Sequence, residues 1–113
     1  MSDFIQGNLV LLPIPFTDLT TSKKRPAIII TNSKFITGRQ DLNVVAVTSA
    51  LHNATQHTLH FFQDDMVTGY LKKESLIQCD KIFTIKKDII IKTFGTVNDL
   101  KLRDIWRNIK KLE

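Results

Sequence analysis

Residues 25–31 read RPAIIIT, and the rest of the chain is parsed outward from this stretch. Its run of alanine and isoleucine is expected to form a strand. Pro26 has no backbone N–H to give to a ladder, so the expected strand opens at that residue. On its N-terminal side lie residues 15–24, PFTDLTTSKK, rich in threonine, serine and lysine. That composition marks a solvent-exposed loop, long for a compact domain, and long loops often carry function. Before it, residues 8–14 (NLVLLPI) form a second apolar run and a second expected strand.

Downstream, residues 32–42 make a polar connection around Thr37-Gly38, with room for one helical turn. Residues 43–49 (NVVAVTS) give a β-branched strand and residues 50–56 a loop. Residues 58–62 (TLHFF) give another strand, and residues 63–66 an acidic turn close to Gly69-Tyr70. Residues 75–84 (SLIQCDKIFT) alternate as a strand. The alternation puts Leu76, Gln78, Asp80 and Ile82 on one face and Ser75, Ile77, Cys79, Lys81 and Phe83 on the other. From Asn98 the period changes: Leu100, Leu102, Ile105, Trp106, Ile109 and Leu112 recur near the 3.6-residue helical spacing. Asn98 is the expected N-cap, Asp99 favours the positive helix end, and Lys110 and Lys111 favour the negative end. Trp106 shares the apolar stripe and is expected to anchor the helix in the core. Five or six short strands closed by one amphipathic helix make a small, partly open β-barrel of the α+β class. No repeat, low-complexity tract or linker interrupts the pattern, so residues 1–113 are expected as a single domain.

Composition bounds the function. With 42% hydrophobic and 24% charged residues, the chain has the make-up of a folded globular protein rather than a disordered one. No apolar run reaches the roughly 20 residues needed to cross a bilayer. Met1-Ser2-Asp3-Phe4 lacks the basic stretch of a signal peptide, and the single cysteine, Cys79, can form no internal disulfide. A cytoplasmic protein is therefore expected. Sixteen Lys and Arg against eleven Asp and Glu leave a net charge of +5, which favours polyanionic partners.

Most familiar chemistries are excluded. There is no glycine-rich phosphate loop, no CxxC pair and no HExxH. His57 and His60 lie three apart near an expected strand and point to opposite faces, which argues against a metal site. Cys79 sits mid-strand without a nucleophile's turn, and reads as a small buried hydrophobe.

What remains is a combination of pieces. Gly7-Asn8-Leu9-Val10-Leu11-Leu12 is followed by the polar loop and by Arg25-Pro26 opening a strand of Ala and Ile. Val45-Ala46-Val47-Thr48-Ser49 comes next, then Ser75-Leu76-Ile77-Gln78-Cys79-Asp80-Lys81-Ile82, and last the helix. In order and spacing, over almost the whole chain, this resembles the MazF/PemK/Kid toxins of type II toxin–antitoxin systems. The resemblance implies the small SH3-like, partly open barrel shared by those toxins and the gyrase poison CcdB, usually as a homodimer. It also implies metal-independent, cofactor-free endoribonuclease cutting of single-stranded RNA, often mRNA. The cognate antitoxin would carry an acidic tail that folds on binding.

The family's catalytic arginine and threonine fall on Arg25 and Thr48. Attack of a ribose 2′-OH on phosphorus builds negative charge on the phosphoryl oxygens, and a guanidinium fork is suited to it. The expected products are a 2′,3′-cyclic phosphate and a 5′-OH. Asp80 is the third candidate, as a base toward the 2′-OH. Kid-like members read Arg-Cys-Asp where this chain reads Gln78-Cys79-Asp80, and Phe83 replaces an arginine common among relatives. The missing arginine favours a two-residue Arg25–Thr48 scheme. Thr17, Lys23, Lys24, Ser49 and Gln78 are the candidate RNA contacts. For Lys23 and Lys24 a solvated loop charge is an equal alternative. Two rivals remain: a non-cleaving RNA- or antitoxin-binding barrel of the same fold, and a CcdB-like gyrase poison.

Overall fold

The computed structural model describes residues 4–15 and 22–112. Its elements are β1 (Asn8–Pro15), β2 (Ser22–Ile29), α1 (Ser33–Ile36), β3 (Asp41–Thr48), β4 (Thr58–Phe61), β5 (Met66–Gly69), β6 (Ser75–Lys86), β7 (Lys92–Val97) and α2 (Asp99–Lys110). The strands form one antiparallel sheet in the order β4-β6-β3-β2-β1-β7-β5. A flat sheet of seven strands would hold its edges about 29 Å apart. Yet the edge strands β4 and β5 are joined by residues 62–65 alone, a link of under about 20 Å even when extended. The sheet must therefore curl into a half-barrel.

The start of α2 fastens this seam. The Asn98 N–H donates to the Asp65 carbonyl at 2.8 Å, and Lys101 Nζ donates to the His60 carbonyl at 3.0 Å while pairing with the Asp65 carboxylate at 3.4 Å. Asn98 is the helix cap, its side chain accepting from the Lys101 N–H at 2.8 Å, as the sequence predicts.

Curling gives the sheet two cores. Leu9, Ile28, Val45, Val47, Ile77 and Cys79 turn inward against Ile105 of α2. Val10, Leu12, Ala27, Ile29, Leu42 and Val44 turn the other way, against Ile36 of α1. Neighbouring residues are thus buried on opposite faces, which accounts for the unbroken apolar runs in β1, β2 and β3.

Several expectations are corrected. There are seven strands among the described residues, not five or six: β5 and β7 are short and glycine-bearing, β5 is largely exposed and β7 buries only Val97 fully, so neither shows an apolar pattern. The second strand opens at Ser22 rather than Pro26, and β1 and β2 pair as far as Pro15↔Ser22. Pro26 is accommodated mid-strand for a specific reason. Ile30 N–H donates toward β3, to the Asn43 carbonyl, so the even-numbered residues of β2 face that side. The β2–β3 ladder ends at Ala27↔Ala46, so β3 asks no hydrogen bond of Pro26.

In β6 the register jumps between Ala46↔Gln78 and Val45↔Ile82, looping out residues 79–81. Gln78 and Ile82 therefore lie on opposite faces, against the strict alternation expected. Trp106 is 38% exposed; Ile105 is the residue of α2 that the core encloses.

Candidate functional site

Because the β2–β3 ladder stops at Ala27↔Ala46, the two strands part at Arg25-Pro26 on one side and Val47-Thr48-Ser49 on the other. A cleft of about 510 Å³ opens between them. Its far wall comes from residues 70–73, between β5 and β6, and from Lys92 and Phe94 of β7. Distant segments meet here because β1 carries β2 on one edge and β7 on the other.

Five cationic side chains line the cleft, Lys24, Arg25, Lys72, Lys73 and Lys92, and no lining residue is acidic. Arg25 is half-buried while the lysines are exposed, so the guanidinium sits deeper than the ring of ammonium groups. Thr48 is only 7% exposed. Its Oγ1 accepts from the Ala50 N–H at 3.1 Å, which caps the turn after β3 and leaves the hydroxyl hydrogen to donate. Lys92 Nζ lies 4.8 Å from the centre of the Phe94 ring, a cation–π contact that fixes both on the far wall. A half-buried planar donor, a hydroxyl donor and a rim of exposed lysines form a site suited to a phosphate of a polyanion.

The structure thus brings together Lys24, Arg25, Thr48 and Ser49 of the residues singled out in the sequence. Lys23 is exposed on β2 and is not part of the cleft lining. Gln78 is half-buried between Ala46 and Thr58, and Asp80 is exposed in the looped-out part of β6; neither lines the cleft. Thr17 lies outside the described residues. Lys72, Lys73, Lys92, Tyr70 and Phe94 escaped the sequence reading. The Tyr70-Leu71-Lys72-Lys73 run, an aromatic followed by two lysines, was the available signal.

Cys79 is fully buried, and its thiol is pushed up to about 11, chiefly by burial, with Asp80 adding and Lys101 opposing. It is a protonated core residue at neutral pH. Among the described residues no group of three or more His, Cys, Asp or Glu side chains is placed to hold a metal ion.

A curled antiparallel sheet sealed by one helix, with a cation-lined cleft where two strands part, defines a small half-barrel built around one concave site. The family model for PemK-like, MazF-like toxins of type II toxin–antitoxin systems matches residues 5–112, and the chain belongs to that family. Among solved structures, a mycobacterial endoribonuclease in complex with its cognate antitoxin has a similar fold. It superposes with a TM-score of 0.75 at 17% identity, over 96% of this chain and 92% of that one. A MazF toxin of Mycobacterium tuberculosis gives 0.72 at 16% identity, covering 92% and 93% of the two chains. The MazE–MazF complex of Deinococcus radiodurans gives 0.71 at 14% identity, covering 99% and 96%. Among curated proteins no match was found.

Proposed function

We propose that this toxin is a metal-independent endoribonuclease that cuts single-stranded RNA at the Arg25–Thr48 cleft. The observation that carries the proposal is the pairing of a half-buried arginine with a buried threonine hydroxyl in a cleft lined by five cations and no carboxylate. Structural relatives described as endoribonucleases support the same reading.

The reaction follows from the groups. The 2′-oxygen of one ribose attacks the adjacent phosphorus, and the bond from phosphorus to the next nucleotide's 5′-oxygen breaks. The proton lost from the 2′-OH is balanced by one gained on the leaving 5′-oxygen. The products are a 2′,3′-cyclic phosphate and a 5′-OH. Arg25 offers two parallel N–H donors to the phosphoryl oxygens as their charge rises, and the Thr48 hydroxyl holds the phosphate in line. Lys24, Lys72, Lys73 and Lys92 draw in the flanking backbone, and Ser49 at the rim adds a neutral donor. Lys23 and Gln78 are assigned to RNA flanking the cleft, and Thr17 stays a candidate RNA contact from the sequence alone. The protein works in the cytoplasm as a homodimer, inhibited by an antitoxin whose acidic segment competes for the cleft.

The test is cleavage of a defined single-stranded RNA by purified protein in EDTA. The parent cuts; Arg25→Ala abolishes cutting, and Thr48→Ala reduces it sharply. Equal cutting by both variants overturns the site. Binding without cutting by the parent leaves the non-cleaving barrel as the better reading, and inhibition of gyrase instead selects the third. Asp80→Asn decides the remaining candidate: lost cleavage with intact RNA binding makes Asp80 the base, and unchanged cleavage removes it.

A further inference from the structure

We infer that Tyr70 is the base-stacking platform of the cleft, holding one unpaired nucleobase of the RNA beside the phosphate engaged by Arg25. The inference rests on the RNA reading above and adds a specificity element to it. Tyr70 lines the cleft with 65% of its surface exposed, yet its backbone is held at its own N–H and at both neighbours. Its N–H donates to the Phe94 carbonyl at 3.1 Å. The next residue, Leu71, packs against the inner core and donates its N–H to Gln63 Oε1 at 2.7 Å, while Gln63 Nε2 donates to the Gly69 carbonyl at 3.2 Å. One glutamine side chain thus clamps both neighbours of Tyr70.

An exposed ring on a fixed mount is set up for stacking, because little backbone entropy remains to be lost when a ligand arrives. Phe94, the other aromatic residue of the cleft, is packed against the core and has the Lys92 ammonium over its ring. Tyr70 is therefore the ring with an open face. Its surroundings are Lys72 and Lys73 two and three residues on, so a base stacked on Tyr70 carries its phosphates toward two ammonium groups. Stacking of this kind needs a base free of a duplex, which selects single strands over duplexes, and tolerates any base type.

The test uses a single-stranded 2′-O-methyl oligonucleotide, whose blocked nucleophile prevents cleavage, and a series of the same strand with one abasic site moved along it. With the parent protein, removing the base at one position weakens binding about tenfold. Tyr70→Ala weakens binding of the intact strand by the same factor and makes that abasic site silent, whereas Tyr70→Phe behaves as the parent. If Tyr70→Ala keeps the abasic penalty, or if the parent binds all abasic strands equally, the platform is wrong. Because binding is read without cleavage, the two proposals separate. Tyr70-dependent stacking in a protein that cuts no RNA upholds the platform and overturns the nuclease. Cutting with Tyr70→Ala unchanged in KM and kcat does the reverse, and no binding to any strand together with no cutting overturns both.

Discussion

At the scale of single residues, the proposed reaction depends on what Arg25 and Thr48 offer that near-isosteres do not. Lysine keeps the charge of Arg25 but loses the planar fork, so Arg25→Lys is expected to slow cleavage about a hundredfold or more while leaving RNA affinity nearly intact. Single-turnover rates beside binding constants check this. Thr48 does two jobs, because its oxygen also accepts the Ala50 N–H. Thr48→Ser keeps both and should retain most activity, whereas Thr48→Val should lose at least tenfold in rate and about 1 kcal/mol of stability. Cys79 gives a pH prediction. Its thiol titrates near 11 in the folded protein against an ordinary value of 9.0, so between these the unfolded chain binds fewer protons than the folded one. Stability is therefore unaffected below about pH 9 and falls as pH rises through 11. Urea unfolding at pH 8 and pH 10.5 should show the decline, and Cys79→Ala or Cys79→Ser should flatten it.

The paired glycines of β5 and β7 set the shape of the cleft at the scale of elements. Gly69 and Gly95 face each other in the ladder at positive φ, and a Cβ on Gly69 would stand 1.9 Å from the Phe94 carbonyl oxygen. One on Gly95 would stand 2.1 Å from the Thr68 carbonyl oxygen. Backbone cannot yield that far without separating the strands, so either alanine should cost about 1–3 kcal/mol or more and displace the Tyr70 wall. Denaturation midpoints measure the first effect, and RNA affinity the second. Replacing the cap, Asn98→Ala, should cost about 1 kcal/mol without touching the cleft. The contrast separates local loss of the far wall from general destabilisation.

These elements also show where sequence reading stops. Strands β1, β2, β3, β4 and β6 and helix α2 were legible from their apolar runs or their period, and Asn98 from its place before the helical pattern. Strand β7 and the edge strand β5 were not, because short strands that meet at glycines and bury few side chains leave no apolar pattern. Nor was the register jump in β6, since alternation within one strand says nothing of its partner. Pro26 misled in the same way: an edge position in mid-strand is a property of the neighbouring strand, not of the proline.

The whole molecule assembles the site. Arg25 and Thr48 were marked by the family resemblance, with Lys24 and Ser49 beside them, but Lys72, Lys73, Lys92 and Tyr70 reach the cleft only through the curl of the sheet. No local pattern announces such a convergence. If all five cleft cations meet phosphates, the log–log slope of affinity against salt should be about −3.5, a loss of roughly a hundredfold between 50 and 200 mM. A Lys72→Gln, Lys73→Gln pair should flatten that slope by about 1.4. The central claim is that the cleft cuts RNA through Arg25 without a metal. Mass analysis of the fragment ends from a defined RNA in EDTA tests it directly. The parent protein is expected to leave 2′,3′-cyclic phosphate and 5′-OH ends, and Arg25→Ala none. The same ends appearing at the parent's rate in Arg25→Ala, or 5′-phosphate ends that vanish in EDTA, would contradict it.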